Sequence, residues 1–134
     1  MERKEPPATQ EEFNKLVIRY RDVPIVELFP GVKSHIVATE KVTLQFLTEA
    51  PNCQSAIHHH ESEQIMIVTG GACDMTVDGK LYHLEEGDVI TLPSNLEHGT
   101  YVSDRGLRAI DIFSPPRQDI VAKLEAARKK AQSK

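Results

Sequence analysis

Short extended segments dominate the middle of this chain. From residue 24 to residue 113, runs rich in β-branched residues alternate with glycine, proline, asparagine and aspartate, a pattern typical of strands joined by turns. Asp78-Gly79 has the positive-φ chemistry of a two-residue hairpin, and Gly70-Gly71 and residues 104–106 are predicted to be turns. The pattern predicts an all-β fold, a sandwich or a barrel. The predicted strands cover residues 24–28, 34–38, 41–48, 55–60, 64–69, 72–77, 80–84, 88–92, 99–103 and 107–113.

Helices are predicted only at the two ends of the chain. Thr9 and Glu12 have the spacing of a capping box, so we expect a short helix over residues 9–16. Residues 118–132 place Ile120, Leu124 and Ala127 at helical spacing, a stripe that should pack on the barrel or on a second subunit. A chain of 134 residues fits one domain. We expect an N-terminal extension over residues 1–22, a barrel over 23–116 and a C-terminal helix over 117–134.

Charge and composition exclude several classes of function. The net charge of -4, with 20 acidic and 16 basic residues, argues against a general nucleic-acid binder. No segment approaches the roughly 20 apolar residues of a membrane span, and the first ten residues are charged and proline-bearing. We therefore expect a cytoplasmic protein without nucleic-acid or membrane partners. Cys53 and Cys73 lack metal-type spacing and are predicted to be packing thiols.

Histidines give the strongest chemical signal. In an extended segment, His58 and His60 project to the same side with Cα atoms about 6.6 Å apart. Two such imidazoles chelate one divalent ion if other segments add donors, and we nominate Gln64 and His98. Since no thiolate belongs to this set, zinc, nickel, manganese and iron all remain candidates for the one divalent transition metal ion.

Other polar residues near these positions are predicted not to bind the metal. His35 and His83 fall outside the constellation, and each is expected to be an ordinary surface or hydrogen-bonded residue. By strand alternation, His59 should project away from the metal. The same parity directs Glu63 and Glu97 away from the site, so neither is included.

The spacing of these residues resembles the cupins. Their first motif reads glycine, five residues, H-x-H, three or four residues, an acid, six residues and glycine. This chain matches it with asparagine in place of the first glycine and glutamine in place of the acid. Their second motif reads glycine, five residues, proline, one residue, glycine or asparagine, two residues and histidine. This chain matches it at every position. The resemblance implies a single-domain jelly-roll barrel, also called a double-stranded β-helix. The matching positions are Asn52, His58, His60, Gln64 and Gly71, then Gly87, Pro93, Asn95 and His98.

One acidic residue in the last predicted strand is unusual for its surroundings. Alternation places Asp111 on the same face as Ala109 and Phe113, and if the small and apolar members face inward, Asp111 enters the pocket. Burying a carboxylate costs several kcal/mol unless it is paired or hydrogen-bonded. Asp111 is therefore either a functional carboxylate or one half of a structural ion pair.

Three segments extend the resemblance to a narrower group. HHHESEQI, GDVITLPSNLEHG and DIFSPPRQD together resemble the small cupins of pectin and alginate catabolism that linearise unsaturated uronates. The resemblance implies a metal held by His58, His60, Gln64 and His98, with Asp111, Phe113 and Arg117 as catalytic residues. It also implies that the metal acts as a Lewis acid while Asp111 shuttles the proton that converts the ring to its linear keto form. Phe113 would stack on the sugar, and Arg117 would bind the carboxylate of this small-molecule substrate.

Other functions remain open on the sequence. The same ligands suit a cupin polyketide cyclase or isomerase, or a dioxygenase, and the chain can also be a non-catalytic metal-dependent small-molecule-binding cupin. We further expect a homodimer formed through an apolar outer face. Its candidate residues are Val42, Leu44, Phe46, Ile65 and Ile67.

Overall fold

The computed structural model describes residues 2–133 as a folded β-sheet flanked by helices. This confirms the predicted all-β architecture with short terminal helices. A 3₁₀ turn, Tyr20–Asp22, leads into the first strand. The helices are α1 (Gln10–Leu16) and α2 (Gln118–Gln132), and the strands are β1 (Ile25–Phe29), β2 (Val32–Ala38), β3 (Thr43–Glu49), β4 (Glu63–Val77), β5 (Lys80–Glu85), β6 (Val89–Leu92) and β7 (His98–Ser114).

Every strand pair in the sheet is antiparallel. The strand order is β1-β2-β3-β7-β4-β5, with β6 added to β4. The central ribbon is the pairing of β4 with β7, which runs from Glu63 opposite Ser114 to Val77 opposite His98. Asp78 and Gly79 have φ of 49° and 80°, and they turn β4 into β5 as the predicted hairpin.

Two predicted turns are wrong, because the chain continues through them as strand. Gly70-Gly71 lies inside β4, and residues 104–106 lie inside β7, so four predicted strands merge into two. The pairing of β4 with β7 shifts register on both sides of Gly70-Gly71. Gly71 and Gly106 have φ of 69° and 77°. Glycine supplies positive φ to a bulge as readily as to a turn, so here it bends two long strands.

The predicted strand over residues 55–60 is also wrong. Residues 54–60 make only isolated bridges to β7, Gln54 with Tyr101 and His58 with His98. His58 and His98 exchange two backbone hydrogen bonds of 2.9 and 3.0 Å, and the His60 carbonyl then accepts from the Asn95 N–H. The segment therefore touches β7 at separate points and does not run along it as a paired strand.

The terminal helices differ in what they bury. In α1, the reciprocal bonds between Thr9 and Glu12 confirm the capping box, but the helix buries no residue. In α2, Ile120 and Leu124 are buried in a cluster with Val23, Ile36 and Phe113. The apolar stripe of α2 therefore packs on the barrel of its own chain.

Two apolar clusters form the core. One fills the barrel interior, where Cys73 is 1 % exposed among Met66, Met75 and Leu107. The other lies between α2 and the first two strands. Both cysteines are free thiols, and Cys53 packs against the first cluster, as expected for packing residues. Within residues 2–133, no helix is both long enough and apolar enough to cross a bilayer.

The bend in β4 predicts a difference between two glycine substitutions. At Gly71, a Cβ would collide with the Gly106 carbonyl, whereas at Gly79, where φ is also positive, nothing lies within 4 Å. We expect Gly79→Ala to cost about 1–2 kcal/mol from positive φ alone. Gly71→Ala should cost at least about 2 kcal/mol more, because backbone must move. Urea denaturation measures both, and equal losses would contradict this account of the bend.

Candidate metal centre

Three histidines from two segments converge at one end of the barrel. His58 and His60 lie in the irregular segment before β4, and His98 is the first residue of β7. One ring nitrogen from each lies within 4.8 Å of the others. Centroids of the His98 ring lie 4.5 Å from His58 and 5.0 Å from His60. The structure thus brings together the three histidines that the sequence nominated.

Backbone carbonyls fix the tautomer of each histidine. Nδ1 of His58, of His60 and of His98 lies 2.8 Å from the carbonyls of Ala56, Ser62 and Leu96 respectively. Because a carbonyl oxygen only accepts, each Nδ1 must carry the proton. In the neutral ring Nε2 then presents a lone pair, the form in which imidazole binds metals. Hydrogen bonds of this kind also hold each ring in its orientation.

Burial keeps two of these rings neutral. It lowers the pKa of His98 to about 4 and also lowers the pKa of His60. His98 Nε2 is buried and has no hydrogen-bond partner within residues 2–133. An unpartnered buried acceptor is costly, and a cation bound to it removes that cost. The donor set therefore fits a divalent transition metal ion.

Gln64 adds an oxygen beside the histidines. Its Oε1 lies 3.1 Å from His60 Nε2, and its amide nitrogen donates to Asp111 Oδ1 at 3.1 Å. Because the His60 proton is on Nδ1, two acceptor atoms face each other across this short distance. A cation that binds both atoms removes the conflict. This geometry supports Gln64 as the fourth ligand that the sequence nominated.

Asp111 projects from β7 into a cavity that His58, Gln64 and His98 also line, and it is 8 % exposed. Burial raises the pKa of its carboxyl to about 7, against the opposing effects of the Gln64 amide and the Arg117 charge. No ion pair engages Asp111 within residues 2–133. Asp111 is therefore not half of a structural ion pair, and its one side-chain hydrogen bond is to Gln64, beside the three histidines.

Phe113 and Arg117 form the adjoining wall. Phe113 is 2 % exposed, and its ring meets the His60 ring edge-on with centroids 5.5 Å apart. The Arg117 guanidinium lies 5.1 Å from the Phe113 centroid. Its Nη2 and Nε donate to the Asp119 carboxylate at 2.7 and 3.3 Å, a pairing that sequence reasoning missed. The Arg117 backbone N–H donates to Thr43 Oγ1 at 3.1 Å, which ties the start of α2 to β3.

One cavity of about 120 Å³ is lined by His58, Gln64, His98, Asp111, Phe113 and Arg117. Its wall also includes Gln45, Glu49 and Lys123, none of which was nominated from the sequence. Burial raises the pKa of Glu49 to about 7, and the charge of Asp111 adds to the effect. Strand alternation in β3 was the available signal, because it places Gln45 and Glu49 on one face. Asp111 is thus not the only carboxylate in the cavity.

The remaining histidines are engaged elsewhere. His35 Nδ1 donates to the Val23 carbonyl at 2.8 Å. His83 lies on the surface between Asp74 and Glu85, 2.8 and 3.1 Å away. His59, Glu63 and Glu97 are exposed. These positions agree with the expectation that none of them belongs to the cluster.

A family model described as "Cupin domain" matches residues 45–113, about half of the chain. This chain is a cupin. Its matched region contains the three histidines, Gln64 and Asp111. The expected cupin barrel is thereby confirmed.

Three individual proteins are similar to this chain over most of its length. The pectin degradation protein KdgF of Dickeya dadantii strain 3937 is 28% identical over 102 residues, which cover 75% of this chain and 93% of that protein. The structure of KdgF from Halomonas sp. is 28% identical with a TM-score of 0.70, covering 77% of this chain and 94% of that one. An RmlC-like cupin from Shewanella frigidimarina is 25% identical with a TM-score of 0.70, at 75% and 90% coverage. The chain is therefore similar to KdgF in sequence and in structure.

The geometry predicts that metal binding depends on His98. The substitution His98→Ala removes one of three converging nitrogen donors. We therefore expect the affinity of the protein for Zn²⁺ to fall at least about tenfold. Competition with a chromophoric chelator measures this affinity. His83→Ala is the matched control, because His83 faces solvent between two carboxylates. Equal affinity of the His98 variant and wild type would contradict the assignment.

Proposed function

We propose that this cupin is a metal-dependent enzyme that opens the ring of an unsaturated uronate and yields the linear keto acid. The observation that carries the proposal is the chain of contacts from His60 through Gln64 to the buried carboxyl of Asp111. Support also comes from the two KdgF relatives, one of which is a pectin degradation protein. Arg117 and Phe113 complete the same cavity.

Ring opening in this substrate class is an isomerisation. A proton leaves the anomeric hydroxyl, the bond between the anomeric carbon and the ring oxygen breaks, and the ring oxygen is left as an enolate. The anomeric carbon becomes an aldehyde, and a proton added at the far carbon of the enolate double bond gives the ketone, so no atom is gained or lost. One acid–base group that takes the first proton and returns it is sufficient.

Asp111 is the residue assigned to move this proton. Its carboxyl is desolvated, and its pKa of about 7 lets it both accept and donate near neutral pH. Gln64 holds one of its oxygens by a hydrogen bond of 3.1 Å and so fixes its orientation. The other oxygen has no ion-pair partner within residues 2–133, which leaves it to the substrate.

Binding of the substrate carboxylate is assigned to Arg117. Asp119 occupies only Nε and Nη2, so the guanidinium keeps further N–H groups for a second acceptor. Phe113 is 2 % exposed, with the guanidinium over its ring, so we assign it to supporting Arg117 and not to the stacking on the sugar that the resemblance implied. His58, His60, His98 and Gln64 would hold zinc, nickel, manganese or iron, which supplies Lewis-acid stabilisation of developing oxygen charge.

Asp111→Asn tests the assignment of the proton carrier. The variant keeps shape but loses the acid–base group, so turnover of an unsaturated uronate should fall about 10²–10⁴-fold. Bound metal per chain should not change. Proton NMR of the product follows ring opening, and Asp104→Asn, an exposed change in the same strand, is the control. Full turnover by the Asp111 variant would refute its role, while oxygen uptake during turnover would indicate a dioxygenase.

We also propose that two copies pair through the outer face of the sheet. Leu44, Phe46, Ile65 and Ile67 project outward from β3 and β4 and are only partly buried. Such an apolar face suits a self-complementary twofold interface. Sedimentation equilibrium should give the mass of two 15.0 kDa chains, and Ile65→Lys with Ile67→Lys should give one. Leu81→Lys on β5 is the control, and a monomeric wild-type protein would contradict the proposal.

A further inference from the structure

The inner face of β3 carries two polar side chains to which the proposed reaction gives no role. Gln45 is 3 % exposed, Glu49 is half-buried, and both line the cavity that contains Asp111. Leu47 lies between them on the same face and is 6 % exposed in the core. A purely structural wall at these positions would be expected to be apolar like Leu47.

Neither side chain has its hydrogen-bonding capacity met by the protein. Within residues 2–133, no ion pair engages Glu49, and the Gln45 amide and Glu49 carboxylate form no side-chain hydrogen bond. Lys123 lines the same cavity, but its ammonium donates to the Leu28 carbonyl at 3.3 Å. Within residues 2–133, the one buried side-chain polar atom without a partner is His98 Nε2, so the polar atoms of Gln45 and Glu49 are open to the cavity and available to a ligand.

Strand register gives the order of groups along the cavity. On β3, Thr43 lies opposite Phe113 and accepts from the Arg117 backbone, and Gln45 lies opposite Asp111. Glu49 is four residues further along, about 13 Å of strand. The cavity therefore has a cationic group at one end, the proposed proton carrier in the middle and a free carboxylate beyond it.

We propose that Gln45 and Glu49 form a subsite that binds the hydroxyl groups of the substrate. An ionised carboxylate accepts hydrogen bonds from hydroxyls, and an amide both donates and accepts, so together they match a polyhydroxylated chain. Arg117 holds the carboxylate of the same molecule at the other end. The choice of a sugar acid rests on the proposed function, whereas the assignment of hydroxyl groups rests on the polar atoms that Gln45 and Glu49 present to the cavity.

Glu49 has an environment that suits this role. Burial and the neighbouring Asp111 charge raise the pKa of Glu49 to about 7, which means that its ionised form lacks solvation in the cavity. Hydroxyl donors from a ligand would restore part of that solvation. A site built this way discriminates strongly against an analogue that lacks the hydroxyl, because its polar groups are then left unpaired.

Binding of unreactive ligands tests the subsite separately from turnover. The probes are a saturated hexuronic acid and its analogues that each lack one hydroxyl, titrated calorimetrically into metal-loaded protein. Wild type should bind the full acid about tenfold more tightly than at least one deoxy analogue. Glu49→Gln and Gln45→Met, both close in size to the native residues, should each reduce this preference to about twofold or less. Thr48→Val, on the opposite face of the same strand, should keep it.

The outcomes distinguish this inference from the proposed reaction. The subsite is overturned if both variants keep the wild-type preference for the full acid over the deoxy analogues. It is also overturned if wild type binds all probes equally or binds none of them. Discrimination that the variants lose supports it, even if the unsaturated uronate is not turned over. Turnover without discrimination contradicts the subsite alone and leaves the ring-opening reaction in place. Thermal melting of each variant checks that a loss of binding is not a loss of folding.

Discussion

Hydrogen bonds from three imidazole Nδ1 atoms to backbone carbonyls determine the chemistry of this cavity. Each bond is 2.8 Å long, and together they turn the Nε2 lone pairs of His58, His60 and His98 toward one point. Without them the rings could present either tautomer. The same point is linked to Asp111 through the Gln64 amide, so the placement of Asp111 depends on the histidine cluster. The pairing of β4 with β7 fixes this link, since Gln64 and Asp111 project from adjacent strands.

Much of this arrangement could be predicted from the sequence because it depends on the spacing of residues close together in the chain. The histidine spacing predicted the triad, and alternation along the last strand predicted that Asp111 enters the pocket with Phe113. The Asp78-Gly79 hairpin and helix α2 were likewise predicted, since turn chemistry and helical periodicity act over a few residues. The roles of these residues in a reaction depend on substrate contacts and remain proposals.

Features that depend on tertiary contacts could not be predicted from the sequence. Positive-φ glycines serve turns and bulges equally well, so Gly71 and Gly106 gave no sign that two long strands pass through them. His58 and His60 project toward the same site although their segment is not a strand. Strand alternation therefore predicted the correct side-chain direction from an incorrect secondary structure. Glu49 was not nominated because its place in the cavity wall depends on the rest of the barrel and on α2.

Anomalous scattering from crystals of the metal-loaded protein tests the central claim most directly. The account predicts one strong peak within about 2.0–2.2 Å of three imidazole Nε2 atoms and the Gln64 amide oxygen. Data collected on both sides of the absorption edge would identify the element. A cavity without a peak after metal saturation, or a metal bound only beside His83, would contradict the account.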